Sequence, residues 1–313
     1  MDNEELTLFR DMAHRALKAE ISPYIEQWEA QHSVPRELWH TLGQAGLLCP
    51  DMPAEYGAAG TTPEVTFAVI EEMSRLGFGG IASGYSIHSN IVAPYIEHFG
   101  TEEQKSQWLP KMVTGEALGA LAMTEPSAGS DVQSIRTKAV KDGDEWVLNG
   151  SKIFITNGML ADIVIVAAIT DPGKGAKGTS LFIVDATLPG FARGKKIEKM
   201  GQHTSDTAEL FFQDVRLPAS SLLGELNKGF VIMMTELPRE RLGIAAQAIA
   251  AAEGALDITV DYVLERKAFG QTIASFQNTR FTLAEVKTEI AINLSFYQQC
   301  ADAYPAQMLT AED

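Results

Sequence analysis

The sequence is short of cysteine, of basic residues and of long apolar runs. Cys49 and Cys300 are its only cysteines, far apart and in no CxxC. That excludes a zinc ribbon and a thioredoxin-like motif, and it fits a reducing, cytoplasmic compartment. Lys and Arg total 25 against 41 Asp and Glu, a formal charge of −16. Such a chain lacks the cationic surface that nucleic acid or anionic lipid demands. No uninterrupted apolar run reaches the ~18 residues of a membrane span, so no membrane insertion is expected. The opening MDNEELTLFRDMAH is acidic and helical in pattern, without the basic and apolar regions of a leader. The six histidines, at 14, 32, 40, 88, 98 and 203, show no ligand spacing, and no metal site is expected. HExxH, GxSxG and Walker A patterns are missing.

What is present is an ordinary globular composition, 45% apolar and 21% charged, in 313 residues. That is length enough for two or three domains and rules out a disordered or fibrous chain. The hydrophobic period changes twice. From residue 4 to about 115 it is helical, with Leu6, Phe9, Ala13, Ala16, Leu17 and Ile21 at three- and four-residue spacing. Pro35 suits the first turn of a second helix, Thr62-Pro63-Glu64 opens a third and Gly100 stops a fourth. Thr101 with Gln104 reads as a capping box. From Leu118 to about Leu223 short strands follow one another, at 118–123, 136–141, 145–149, 151–156, 163–170, 179–186 and 207–214. Turns are expected at Asp142-Gly143 and Asn149-Gly150. Strands in unbroken succession predict an antiparallel β-barrel or sandwich. From Gly229 the helical period returns. Pro238 is expected to break it, so that an alanine-rich helix spans 240–266, stopped by Gly270, with another over 277–303. The divisions are 1–117, 118–224 and 225–313. The final Thr310-Ala311-Glu312-Asp313 has the chemistry of a helix start, so further chain is expected beyond it.

Gly173 to Gly178 matches GxGxxG literally, but a strand follows, not the helix a nucleotide fingerprint needs; it reads as a hairpin loop. His88 lies in an apolar stretch, as a core histidine or a pocket-lining one. Four stretches ask for more than packing. Leu121-Ala122-Met123-Thr124-Glu125-Pro126-Ser127-Ala128-Gly129-Ser130-Asp131 leaves a strand and presents hydroxyls and backbone N–H groups. Lys152 to Gly158 ends a strand in aromatic, apolar and hydroxyl residues. Pro238-Arg239-Glu240-Arg241-Leu242-Gly243 stands at the start of the long helix, and Glu265 to Gln271 reads as its C-terminus.

Taken in this order, TEPSAGSD, FITNG, the segment from Lys199 through SDTAEL and ERKAFGQ resemble the signatures of the acyl-CoA dehydrogenase family, along the whole chain. The resemblance implies an N-terminal α-helical bundle, a middle antiparallel β-barrel and a C-terminal α-helical domain, here incomplete. It implies FAD as cofactor. Leu121, Met123 and Thr124 are expected along the isoalloxazine, and Ser130 near the phosphates of FAD or CoA. Phe154, Ile155 and Thr156 are expected on the other side of the ring, with Phe154 where the family usually has tryptophan. Arg266, Phe269 and Gln277 are expected to reach the FAD of a neighbouring subunit in a tetramer or dimer.

The reaction so implied removes an α-proton and a β-hydride from an acyl-CoA thioester, with an electron-transferring flavoprotein as acceptor. It needs a carboxylate base and polarisation of the thioester carbonyl. Most of the family places the glutamate in a segment beyond Asp313. The long-chain and isovaleryl enzymes place it at the start of the long helix, where this chain has Glu240. Pro238, Arg239 and Arg241 are then expected to border the substrate. Glu125 is assigned to the flavin loop, and Glu236, one turn before Glu240, is expected to face elsewhere. Val231 stands where the long-chain branch tends to have tyrosine. The plainer reading of Glu240, a surface carboxylate paired with Arg239 or Arg241, stays open at this stage, as do an acyl-CoA oxidase and a non-catalytic binding or assembly module.

Overall fold

A computed structural model describes residues 3–304, so the expected helix start at 310–313 lies outside the described residues. Seven helices come first: α1 (Asn3–Ile21), α2 (Ile25–Gln31), α3 (Arg36–Gln44), α4 (Pro63–Arg75), α5 (Gly79–Tyr85), α6 (Ala93–Phe99) and α7 (Glu102–Val113). Between α5 and α6 the chain continues as a π-helical stretch, Ser86–Val92. The expected start signals act locally. Pro63 occupies the first turn of α4, and Thr101 and Gln104 form a reciprocal capping box on α7. Pro35 is the residue before α3 rather than inside it.

The middle segment is one sheet of eight strands: β1 (Gly119–Ala122), β2 (Lys138–Asp142), β3 (Glu145–Thr156), β4 (Ile163–Ile169), β5 (Thr179–Asp185), β6 (Phe191–Lys196), β7 (Thr207–Pro218) and β8 (Leu222–Leu223). Their order is β6-β7-β3-β2-β4-β5-β8, with β1 also on β4. It is antiparallel except that β1 and β2 both meet β4 in parallel. Asp142-Gly143 makes the expected hairpin. Asn149-Gly150 does not: β3 runs through it, and Gly150, at φ 152, absorbs a register shift against β7. A Cβ there would lie 2.4 Å from Thr137 Oγ1, so glycine is needed for close approach rather than for a turn. β6 escapes the sequence pattern because it is an edge strand, FARGKK, whose basic residues protect an unpaired rim instead of filling a core.

β4, IVIVAAI, is buried almost throughout, and its alternate residues enter two cores. Ile163, Ile165 and Ala167 join a core with Trp39, Val69, Leu118, Leu121 and, from the returning helices, Ala246 and Tyr297. Val164, Val166 and Ala168 join Trp146, Phe182 and Phe212 inside the sheet. Asn157 Nδ2 donates to the carbonyls of Gly84 and Gly119, stitching sheet to helices. His88 is a core residue: its Nδ1 accepts from Gly119 N–H and its Nε2 lies 3.0 Å from the carbonyl of Met112. Burial holds it to about 4, so it stays neutral.

The last part departs most from expectation. α8 runs unbroken over Gly229–Glu265 with Pro238 inside it. Pro238 removes one backbone donor but does not start a helix, and Glu240 lies in the fourth turn rather than the first. α8 ends at Glu265, capped by the extended Arg266; Gly270 instead forms the turn of a small hairpin, β9 (Lys267–Ala268) with β10 (Gln271–Thr272). α9 covers Gln277–Ala303. By length and composition alone α8 also passes for a membrane span. Its small residues serve a close helix crossing: a Cβ on Gly254 would lie 2.1 Å from the carbonyl oxygen of Arg75 on α4.

Candidate active site

The loop after β1 and the end of β3 are joined by Ile153 N–H donating to the carbonyl of Thr124, 3.0 Å. Beneath that contact lies a buried ion pair. Lys152 points inward from β3 and donates to Glu125 Oε1 (2.9 Å) and to the carbonyl of Met123 (2.8 Å). Glu125 accepts in addition from the backbone N–H groups of Arg136 and Thr137. Burial lowers the Lys152 ammonium to about 8 against the pull of Glu125. For Glu125 burial acts upward, yet the lysine and the backbone donors outweigh it and the carboxyl is held below its usual range. The loop is therefore pinned from inside, and its outer surface remains for a ligand.

Leu121 is buried in the larger core, and Met123 and Thr124 are half-buried. Phe154 stands out: it is 60% exposed at φ 60, a left-handed conformation that phenylalanine rarely adopts. It sits where β3 shifts register between Lys152 and Ile155. The aromatic ring is thus held outward at the end of the strand that also carries the half-buried Thr156 and is bonded through Ile153 to the loop at Thr124, and it offers a flat apolar face. Ile155 does not belong to that surface; its side chain is 2% exposed and packs inside the sheet, leaving only its backbone for a ligand. Ser130 is exposed at the far end of the loop. Arg266 and Phe269 are exposed on the β9–β10 hairpin, Phe269 at 96%, and Gln277 is exposed at the start of α9.

Glu240 is not a surface carboxylate. It is 8% exposed, and its Oε1 accepts from the Tyr95 hydroxyl at 2.9 Å. Burial raises its carboxyl from 4.5 to about 7; the Tyr95 hydrogen bond and Arg241 act downward, and the neighbouring Glu236 acts upward. Glu236 faces this same cluster rather than elsewhere, with its Oε1 2.7 Å from His98 Nδ1. Arg239 does not border an open pocket. It is 2% exposed, its Nη2 pairs with Asp51 at 2.6 Å, and its Nε donates to Asn90. Arg241 is exposed and Pro238 half-buried. Tyr95 and Asp51 carry no motif of their own and were not among the expected site residues; Lys152 opens one of the four stretches but was given no role. Among the described residues no cluster of three or more His, Cys, Asp or Glu is placed to hold a metal.

Three family models match in succession: the acyl-CoA dehydrogenase N-terminal domain over 3–116, the middle domain over 120–215 and the C-terminal domain over 227–312. The chain is 47% identical over 309 residues to the long-chain specific acyl-CoA dehydrogenase, mitochondrial, of Rattus norvegicus, covering 98% of this chain and 71% of that protein. Among solved structures, an acyl-CoA dehydrogenase from Geobacillus kaustophilus matches at a TM-score of 0.95 and 44% identity, over 98% of this chain and 81% of that one. A glutaryl-CoA dehydrogenase from Mycobacterium smegmatis, in complex with FADH2, matches at 0.91 and 31% identity, over 98% and 77%. On three matched domains and an unbroken structural likeness, the chain belongs to the acyl-CoA dehydrogenase family.

Proposed function

We propose that this protein removes the α-proton and β-hydride of an acyl-CoA thioester, giving the trans-2-enoyl-CoA, with Glu240 as the base. The observation that carries the reading is the Glu240 carboxyl itself, buried, hydrogen-bonded to the Tyr95 hydroxyl, and raised to about 7. A base near neutrality combines a substantial ionised fraction with real affinity for a proton.

The pinned 121–130 loop and the outward Phe154 suit a flat heterocycle with polar edges, as an isoalloxazine has. Leu121, Met123, Thr124, Phe154, the Ile155 backbone and Thr156 would hold FAD, with Ser130 toward a phosphate. FAD when bound supplies acceptance of the β-hydride. The protein's own part is to orient the thioester, exclude water and take the proton at Glu240. An electron-transferring flavoprotein is the acceptor that the family likeness favours. A long acyl chain is the substrate class supported by likeness to the rat enzyme of that name. A homo-oligomer is supported by apolar side chains left exposed on α8 and α9, among them Ile258, Leu264, Phe281, Ile292 and Phe296. The free cysteines favour a reducing, cytoplasmic setting.

The test is anaerobic mixing of the FAD-loaded protein with acyl-CoAs of graded length. Flavin absorbance should bleach, and Glu240→Gln should keep FAD while losing ~10²–10⁴ in rate. Bleaching at the wild-type rate in that variant would refute Glu240 as base. Rapid peroxide formation on admitting air would assign an oxidase instead.

A further inference from the structure

Two helices meet at Glu240 with matched pairs of polar residues. On α6, Tyr95 and His98 are three residues apart; on α8, Glu236 and Glu240 are four apart. Both spacings put a pair on one helix face. Tyr95 meets Glu240 and His98 meets Glu236, so the contacts form two rungs between the same faces. Tyr95 is fully buried and Glu236 is 3% exposed. The His98 ring lies between two carboxylates, 2.7 Å from Glu236 through Nδ1 and 3.0 Å from Glu97 through Nε2. Both ring nitrogens thus face acceptors, the arrangement of an imidazolium. Burial opposes that charge, but the two carboxylates prevail and raise His98 to about 9.

Nothing in packing requires this. A buried tyrosine hydroxyl is satisfied by any carbonyl, and a second carboxylate one turn from the first is electrostatically unfavourable. We propose that Tyr95, Glu236 and His98 are positioning residues that fix the protonation state of Glu240. Tyr95 steadies the ionised form, Glu236 opposes it from one turn away, and His98 limits that opposition by pairing with Glu236. The inference rests on Glu240 being the base but concerns only its ionisation. The other charged or titratable groups around the two rungs are Glu97 on α6, Lys105 on α7, Arg239 and Arg241 on α8, Asp51, and Tyr304 after α9. Arg239 is committed to Asp51, and Arg241 acts on Glu240 in the same direction as Tyr95.

The experiment titrates the Glu240 carboxyl in the full chain by carbon-13 NMR of labelled glutamate, the signal being assigned by its loss in Glu240→Gln. Tyr95→Phe removes a donor to the ionised form and should raise the midpoint by about one pH unit. Glu236→Gln removes a like charge and should lower it by about as much. His98→Gln exposes Glu240 to an uncompensated carboxylate and should raise it. The acidic limb of flavin reduction by acyl-CoA should move in the same three directions in the FAD-loaded protein. Unchanged NMR midpoints, or Tyr95→Phe and Glu236→Gln moving the midpoint the same way, would overturn the inference. Midpoints that move as expected in a protein whose flavin no acyl-CoA bleaches would uphold it and refute the dehydrogenation reading alone.

Discussion

A base kept ready inside a protein burdens the fold that holds it, and for Glu240 the burden can be worked out. Its carboxyl goes from 4.5 to about 7 on folding, chiefly through burial. Each pH unit of that rise is worth about 1.4 kcal/mol, so the ionised native form carries a penalty of ~3 kcal/mol. The sign follows from proton counting. Below 4.5 the carboxyl is protonated in both folded and unfolded chains and costs nothing. Between 4.5 and about 7 the unfolded chain has released a proton that the native one keeps, so stability falls as pH rises; above that the penalty is constant. Glutamine has the same shape, never ionises and still accepts from Tyr95. Glu240→Gln should therefore gain about 2–3 kcal/mol on the wild type between pH 5 and pH 8. At a urea dependence of about 3 kcal/mol per molar, the gap between their unfolding midpoints should widen by ~1 M. A gap that is the same at both pH values would show that Glu240 is not strained by its charge, and the argument for it as a tuned base would fail.

Three other substitutions test other parts of the structure. Arg239→Met strands Asp51 in the core and should cost ~3–5 kcal/mol in thermal unfolding, partly recovered by adding Asp51→Asn; wild-type stability would mean the pair is not buried as described. Lys152→Met leaves Glu125 with backbone donors only. It should lower both stability and the FAD retained after gel filtration, and full retention would detach the buried pair from the flavin loop. Phe154→Gly relieves a left-handed phenylalanine, so stability should change by no more than ~1 kcal/mol while FAD retention falls. A loss as large as that of a core aromatic would place the ring in the fold instead of on a ligand.

Features that depend on neighbours along the chain were legible in the sequence. The capping box at Thr101, the proline opening α4, the Asp142-Gly143 hairpin and the two changes of period all appear where expected. Pro238 was misread because its local effect, a lost donor and a crowded carbonyl, is real; packing of α8 against α4 and α9 outweighs it. Asn149-Gly150 was misread because a glycine needed for close approach to Thr137 looks the same in sequence as one needed for a turn. Glu240 was legible as a base by its place in a motif. Its environment was not, since Tyr95 lies 145 residues away and only the fold brings them together. Arg239 shows the converse: its place beside Glu240 suggested a substrate contact, but successive helix residues point to different sides, and Arg239 turns to Asp51.

β4 bears on how such a chain can be recombined. Three matched family domains suggest pieces to exchange between relatives at their borders. Yet alternate side chains of this strand enter two interiors, one of them shared by residues from Ala13 to Ala301. A graft of the middle segment alone brings one complete interior and half of another, whose complement stays with the recipient. The borders between sequence domains are therefore poor places to cut, and exchange succeeds only where Ile163, Ile165, Ala167 and the helical residues facing them travel together as one matched set.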